Sequence, residues 1–166
     1  MDELDSPRAI RVEEVAQVTP ETVQTLIEID LQTFAESTFS QYTALAVLHS
    51  GQVFVLRIDD IIVGTCVCLR NWRRPGEALV LTMGIRPGWR GRGLGQRFVQ
   101  GVLSALKNHG LTSVSLLVDK SNFRAIKTYQ DVGFDYEEEF MTAPHTGAEF
   151  VHLSAKLNSE EGGVDQ

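Results

Sequence analysis

The chain has 166 residues, of which 43% are apolar and 22% are charged. This length and composition indicate one globular domain with its own core, and they exclude disordered, collagen-like and coiled-coil proteins. Much of the net charge of −7 comes from residues 1–7 and 158–166, which we expect to be disordered on either side of a single domain over 8–157. We expect a cytoplasmic protein without membrane contact, because the chain shows no signal peptide and no uncharged stretch apolar enough to cross a bilayer.

The hydrophobic pattern predicts eleven elements in the order β-α-α-β-β-β-α-β-α-β-β. Strands are predicted at 9–15, 53–58, 61–69, 78–85, 113–118, 134–141 and 150–157. Helices are predicted after Thr19, at 42–48 and 93–108, and after a cap at Ser121 or Asn122. In the first helix, Leu31 and Phe34 follow the helical spacing of its apolar face. A helix joins 78–85 to 113–118, so these two strands should be parallel. The fold class is therefore α/β, with a mixed sheet flanked by helices.

Cysteine and histidine usage gives no sign of a metal site. Cys66 and Cys68 alternate in a strand and are expected to be buried as small apolar side chains. The four histidines have no ligand-like spacing to the cysteines or to each other, so we predict no metal.

Positive charge is concentrated in the middle of the chain. Between residues 70 and 97 there is a single acid, Glu77, among seven arginines: Arg70, Arg73, Arg74, Arg86, Arg90, Arg92 and Arg97. Because the rest of the chain is acidic, this local excess predicts an anionic ligand at one place and argues against a surface that coats nucleic acid.

The segment with the most chemical information follows the strand that ends at Ile85. It reads Arg-Pro-Gly-Trp-Arg-Gly-Arg-Gly-Leu-Gly-Gln over 86–96 and runs directly into a helix. Glycines at alternate positions allow the backbone to turn and present successive N–H groups, and the helix adds its positive dipole end. The pattern predicts a phosphate cradle. Its spacing matches neither the P-loop nor the dinucleotide fingerprint, although Asp119 at the end of the next strand keeps a nicotinamide-dependent oxidoreductase as an alternative.

Two motifs then resemble one known family. Arg90-x-x-Gly93-x-Gly95 is similar to the acyl-CoA pyrophosphate signature of the GNAT superfamily of N-acyltransferases. Asn122-x-x-Ala125-x-x-x-Tyr129-x-x-x-Gly133-Phe134 is similar to its second signature, at the expected distance downstream. The resemblance implies a centrally splayed sheet, in which strands 78–85 and 113–118 separate to admit acyl-CoA. It also implies an acyltransferase that moves an acyl group, most simply acetyl, to a primary amine by direct attack on the thioester.

The resemblance also implies roles for individual residues. The backbone of Met83 and Ile85 would pair with the pantetheine and the thioester carbonyl, with the Ile85 N–H as oxyanion donor. The pyrophosphate would lie on Arg90, Gly91, Arg92, Gly93, Leu94, Gly95 and Gln96. Asn122 would contact pantetheine, and Tyr129 would stand near the sulfur as general acid. The alternative for Tyr129 is a core aromatic with a satisfied hydroxyl. A non-catalytic CoA-binding module of the same fold is a separate alternative to the enzyme, and Tyr129 argues against it.

The acceptor is less well determined. It is expected to be a small-molecule or peptide amine, without nucleic acid, and a homodimer stays open. Glu77 is the first candidate for the base that deprotonates this amine, and its alternative role is a salt bridge with Arg73 or Arg74. Glu36 and the acids at 137–139 are further candidates for the acceptor side.

Overall fold

The computed structural model describes residues 8–34 and 40–157, with the side chains of 138–141 excepted. The predictions for 1–7, for 158–166 and for Glu36 lie outside the described residues, as do those for the side chains of Glu138 and Glu139. The elements follow the predicted order. They are β1 (Ile10–Glu14), α1 (Pro20–Thr33), α2 (Gln41–Ser50), β2 (Gln52–Ile58), β3 (Ile61–Arg70), β4 (Glu77–Ile85), α3 (Leu94–Asn108), β5 (Ser113–Asp119), α4 (Phe123–Asp131), β6 (Asp135–Thr142) and β7 (Glu149–Lys156).

The strands form a seven-stranded sheet in the order β1-β2-β3-β4-β5-β7-β6. β4 and β5 are parallel, which confirms the prediction from the helix that joins them. β1–β2, β5–β7 and β6–β7 are antiparallel. The mixed α/β fold class is thereby confirmed. No helix among the described residues has the length and apolar character needed to span a membrane.

By its internal contacts the chain divides into two compact units, Met1–Val67 with Thr82–Arg92, and Cys68–Leu81 with Gly93–Gln166. In the first unit, α1 and α2 contribute to an apolar cluster of Leu26, Ala44, Leu48, Val53 and Val67. The expected apolar face of α1 is wrong at its end, since Leu31 is 53% exposed and Phe34 is 40% exposed. The buried face of the helix instead runs through Leu26, Ile29 and Asp30.

In the second unit, β5 places two kinds of side chain on its two faces. Val114, Leu116 and Val118 are buried on one face, as expected for the core side of a strand with period two. The other face carries Ser115 and Leu117, whose partners on β7 are Ser154 and His152.

The pairing of β4 with β5 is short. It joins Glu77–Val80 to Ser113–Leu116, whereas β5 stays paired with β7 up to Asp119 and Phe150. The first apolar side chains beyond the ladder, Leu81 and Leu117, are 38% and 41% exposed. The ladder between β4 and β5 therefore ends at Val80, although both strands continue beyond it.

Gly84, near the end of β4, lies directly under the last turn of α1. A Cβ at this position would overlap the Thr33 hydroxyl and would lie 3.1 Å from the Thr33 Cβ and 3.2 Å from the Ile29 Cγ2. The family resemblance implies that this part of β4 approaches a ligand, but the neighbour that excludes a side chain at Gly84 is α1. The glycine is needed so that α1 can pack on the end of β4.

We expect Gly84→Ala to lower the free energy of unfolding by about 1–3 kcal/mol, because the new methyl group overpacks the contact with Thr33. Urea denaturation followed by circular dichroism measures the change. Gly88→Ala is the matched control, since a Cβ there meets nothing within 4 Å, and its effect should stay within about 0.5 kcal/mol. Equal stability of the two variants would contradict the close approach of α1.

Candidate functional site

The end of β4 presents backbone groups in a fixed orientation. The Arg86 N–H donates to the Val63 carbonyl of β3 at 2.8 Å. Because successive residues of a strand direct their N–H groups to opposite edges, the Ile85 N–H points to the edge away from β3. This is the orientation that an oxyanion donor at Ile85 requires. Met83, two residues earlier, has the same orientation by the same alternation.

Two arginines that follow β4 are bound within the first unit. Arg90 Nε donates to the Ile85 carbonyl at 2.8 Å, and its NH2 group donates to the Gln32 carbonyl at 3.2 Å. Arg86 Nε donates to the Ile62 carbonyl at 3.1 Å, and its NH2 group lies 3.4 Å from Glu28 Oε2. Sequence reasoning missed these contacts, because residues up to 58 positions apart carry no local signal of their proximity.

Arg92 has a different environment. Its guanidinium carbon lies 5.3 Å from the centre of the Trp89 ring, within the range of a cation–π contact. One guanidinium nitrogen is 3.5 Å from the Gly88 carbonyl, at the limit of a hydrogen bond. The side chain is exposed, so Arg92 keeps its charge available to an anion outside the protein.

In the second unit, α3 begins at a turn made of glycine. Gly93 is the N-cap of α3 in the left-handed conformation, with φ of 72°, and a Cβ there would meet nothing within 4 Å. No side chain caps α3. The first intrahelical donor is the Arg97 N–H, which reaches the Gly93 carbonyl at 3.3 Å. The amides of 94–96 are therefore directed at the open space over Gly93, as an anion-binding helix N-terminus requires.

The remaining positions of the predicted cradle contribute backbone or packing. Gly91 also has a positive φ of 79°. Leu94 is buried at 4% exposure, and a Cβ on Gly95 would touch Thr128 of α4 at 3.4 Å. The Gln96 side chain donates to Asp131 Oδ2 at 3.1 Å, so only its N–H points toward the cradle.

α4 carries the second motif. The Asn122 side chain accepts a hydrogen bond from the Ala125 N–H at 3.2 Å, which confirms the predicted cap. Tyr129 is partly buried, and its ring packs edge-on against the fully buried Phe134 at a centroid distance of 5.4 Å. This contact fixes the position of the Tyr129 ring. The role of the Tyr129 hydroxyl in catalysis stays a prediction.

Glu77 lies at the end of β4 that is paired with β5, where its partner is Ser113. It is 6% exposed. Its Oε1 accepts hydrogen bonds from Asn71 Nδ2 at 2.7 Å and from the Ser115 hydroxyl at 2.9 Å. Its Oε2 lies 3.6 Å from Arg74 NH1. The catalytic role of Glu77 stays a prediction, and these contacts favour its alternative role as the partner of Arg74.

Comparisons with known proteins identify the family. The profile of the acetyltransferase (GNAT) family matches residues 19–134, more than half of the chain. The chain belongs to the GNAT acetyltransferase family.

The family assignment excludes the alternative of a nicotinamide-dependent oxidoreductase. Consistent with this, Asp119 is engaged locally, since it accepts hydrogen bonds from the Ser121 hydroxyl at 2.7 Å and from its N–H at 2.8 Å, and these lower the pKa of its carboxyl.

Individual relatives differ in how much of the chain they match. A mycothiol acetyltransferase of Nocardiopsis dassonvillei is 36% identical over 39% of this chain, which spans 20% of that protein's length. The ribosomal protein bS18-alanine N-acetyltransferase of Escherichia coli is 22% identical over 81% of this chain and 78% of its own. A crystal structure of the E. coli S18-alanine enzyme superposes with a TM-score of 0.77, 14% identity and coverage of 95% and 100% of the two chains. A Bacillus subtilis acetyltransferase in complex with CoA reaches a TM-score of 0.71 at 17% identity, with coverage of 90% and 100%.

The second unit of this GNAT chain also contains a polar cluster on the sheet face opposite its apolar core. Glu137 of β6 accepts from the Ser154 hydroxyl at 3.0 Å and from Arg74 NH1 at 3.1 Å, and lies 3.1 Å from His152 Nδ1. Ser154 makes the largest contribution to a lowered pKa of the Glu137 carboxyl, with help from Arg74 and His152 against partial burial. Among the described residues, no group of three or more His, Cys, Asp or Glu could hold a metal ion.

We expect the cluster of Glu137, Ser154, Arg74 and His152 to make the free energy of unfolding depend on pH in the acidic range. Because the folded-state pKa lies below the ordinary value of 4.5, the ionised carboxylate stabilises the fold above about pH 5 and loses this contribution as the pH falls through the folded-state pKa. Urea unfolding at intervals from pH 6 to 3 should show the difference between the parent and Glu137→Gln shrinking below pH 5. In Ser154→Ala the total loss should be smaller, and it should be complete at a higher pH than in the parent, because the folded-state pKa of Glu137 is less depressed. Parallel pH profiles of the parent and Glu137→Gln would contradict this interpretation.

Proposed function

We propose that this GNAT protein transfers an acetyl group from acetyl-CoA to a primary amine. The observation that carries the proposal is the uncapped N-terminus of α3, whose amides follow a left-handed Gly93 with open space around it. This arrangement suits the diphosphate of CoA. The free amides and the positive end of the helix dipole favour an anion, and Gly93 has no side chain that would block its approach. Arg92, exposed and stacked on Trp89, is the cation that we assign to the same phosphates.

Two groups would act on the thioester. The Ile85 N–H would donate to the carbonyl oxygen, where negative charge develops as the amine attacks. A carbon–nitrogen bond forms at the acetyl carbon, and the bond from that carbon to sulfur breaks. The thiolate takes a proton from the Tyr129 hydroxyl and the attacking nitrogen releases a proton to water. Water then returns a proton to the Tyr129 oxygen, which restores the enzyme. Asn122 is proposed to contact the pantetheine, as are the backbone groups of Met83.

For the acceptor we propose the α-amine of a polypeptide. The E. coli enzyme named for an alanine of a ribosomal protein is similar along most of both chains, whereas the mycothiol acetyltransferase is similar over a limited part. Amine chemistry supports the same class. With ordinary pKa values, about 14% of an α-amine but only about 0.04% of a lysine amine is neutral at pH 7. An α-amine therefore depends less on a base, which agrees with a buried Glu77 that we assign to structure.

The experiment is a thiol-release assay with acetyl-CoA and three groups of acceptors. These are peptides with a free N-terminal alanine, the same peptides blocked at the N-terminus but containing a lysine, and a set of amino acids and amino sugars. We expect release with the free α-amine peptides. Release only with small amines would overturn the acceptor class and keep the acetyltransferase, and absence of both release and acetyl-CoA binding would overturn the proposed function.

We expect Gly93→Ala to raise the Kd of acetyl-CoA at least tenfold, because its methyl group occupies the space in front of the α3 amides. Acetyl-CoA at 100 times its Kd stabilises the parent by about 2.7 kcal/mol, so the loss is visible in a thermal-shift experiment. Gly110→Ala is the matched control. Gly110 also has a positive φ, 79°, with nothing within 4 Å of its Cβ position, so it has the same backbone strain away from the cradle. A similar loss of binding in both variants would contradict the proposal.

We expect Tyr129→Phe to lower kcat by about 10²–10³-fold, in the lower half of the range for general acid–base groups. The ring contact with Phe134 is kept, so the melting temperature and the Kd of acetyl-CoA should change little. Single-turnover kinetics with the α-amine peptide measure the chemical step. An unchanged rate in that step would assign Tyr129 to the core.

A further inference from the structure

The last turn of α1 contains no basic residue of its own. A helix C-terminus has carbonyls without intrahelical donors and a partial negative charge, and cations stabilise it. Here the donors come from the segment after β4. Arg90 donates to the Gln32 carbonyl, and Arg86 lies 3.4 Å from Glu28 Oε2 and from Gln32 Oε1.

The same guanidinium of Arg90 also holds the end of β4. It donates to the Ile85 carbonyl at 2.8 Å, the shorter of its two hydrogen bonds. The other side of that peptide unit is held by β3, because the Arg86 N–H donates to Val63. The peptide that follows Ile85 is therefore fixed at both its carbonyl and its N–H.

The packing beneath these contacts leaves little freedom. A Cβ on Gly84 would overlap Thr33 and approach Ile29 of α1, so the last turn of the helix packs closely on the strand immediately before Ile85. Arg90 spans this contact from the helix carbonyl to the strand carbonyl. A displacement of its guanidinium would release Ile85 and the end of α1 together.

We propose that Arg90 is a positioning residue and is not the phosphate ligand that its place in the glycine motif implies. By tying the Ile85 carbonyl to α1, it fixes the peptide that follows Ile85, and through the backbone of this one residue it orients the Ile85 N–H of the preceding peptide for acetyl transfer. Within the part of the chain that the structure describes, the Arg90 guanidinium donates to two backbone carbonyls, those of Ile85 and Gln32. Arg92, two residues later, has its charge exposed and is the phosphate ligand. The inference rests on the proposed function, since it concerns the donor assigned there to Ile85.

The two arginines should differ in which step they affect. Arg90→Ala should lower kcat for the α-amine peptide about 10–100-fold, since a displacement of about 1 Å at a reacting group can cost about 10²-fold. Its Kd for acetyl-CoA, and the salt dependence of that Kd, should stay within threefold of the parent. Arg92→Ala should do the reverse, with a Kd raised at least tenfold, a weaker salt dependence and kcat at saturating acetyl-CoA within threefold.

A spectroscopic measurement needs no acceptor. Acetyl-CoA labelled with ¹³C at the thioester carbonyl should show a downfield shift on binding to the parent, because the Ile85 N–H polarises the carbonyl. We expect this shift to shrink in Arg90→Ala at full occupancy and to persist in Arg92→Ala. Arg90→Lys keeps a cation near α1 but lacks the two guanidinium donors that reach both carbonyls at once. Its kcat and the chemical shift of the bound thioester carbonyl should therefore lie between those of the parent and of Arg90→Ala. If Arg90→Ala is too unstable to assay, Arg90→Lys carries the test.

A tenfold or larger increase of the acetyl-CoA Kd in either Arg90 variant, with kcat and the bound carbonyl shift unchanged, would overturn the inference and leave the proposed function in place. Variants with a kcat and a carbonyl shift equal to those of the parent would do the same. A parent protein that does not bind acetyl-CoA would overturn the proposed function and this inference together.

Discussion

β4 loses its pairing with β5 after Val80, although both strands continue. Buried or half-buried peptide groups need partners, so the edge of β4 beyond this point must be satisfied by something other than a neighbouring strand. The surrounding structure meets this constraint in part. Arg90 donates to the Ile85 carbonyl and so satisfies one of these peptide groups. The proposed thioester contact at the Ile85 N–H would meet the same constraint on the ligand side.

Arginine dominates the middle of the chain, and its side chains have different partners. Arg74 belongs to the polar cluster around Glu77 and Glu137. Arg86 and Arg90 are bound to carbonyls and to the end of α1. A guanidinium carries donors in a fixed planar fork, so its preferred partner depends on which acceptors the fold places in that plane. The excess of arginine along the sequence predicts that an anion binds nearby. Which arginine can bind that anion depends on the acceptors that the folded chain has already placed around each guanidinium.

Local signals explain why so much of the fold could be predicted. Periodicity marks the strands and helices, and Asn122 and Gly93 mark helix starts through the short-range chemistry of a side-chain cap and a left-handed turn. The motif residues from Gly91 to Gln96 lie where the pattern puts them, at a strand–turn–helix junction. The buried position of Glu77 could not be predicted in this way. Its partners Asn71 and Ser115 come from a loop and from a strand 38 residues away, and the sequence alone made it resemble an exposed acid among cations.

The sequence by itself determined the order of the elements, the parallel relation of β4 to β5 and the glycine turn before α3. The element order and the glycine turn depend on hydrogen bonds and backbone angles among near neighbours in the chain, and the parallel relation follows from the helix that joins the two strands. Only the tertiary structure decided the partners of the charged groups, that Glu77 is enclosed at the paired end of β4 and that Arg90 reaches Gln32, 58 residues away. The physical reason is that a charged side chain is stabilised by whichever donors and acceptors the folded chain brings within about 3 Å, and sequence distance does not limit that choice.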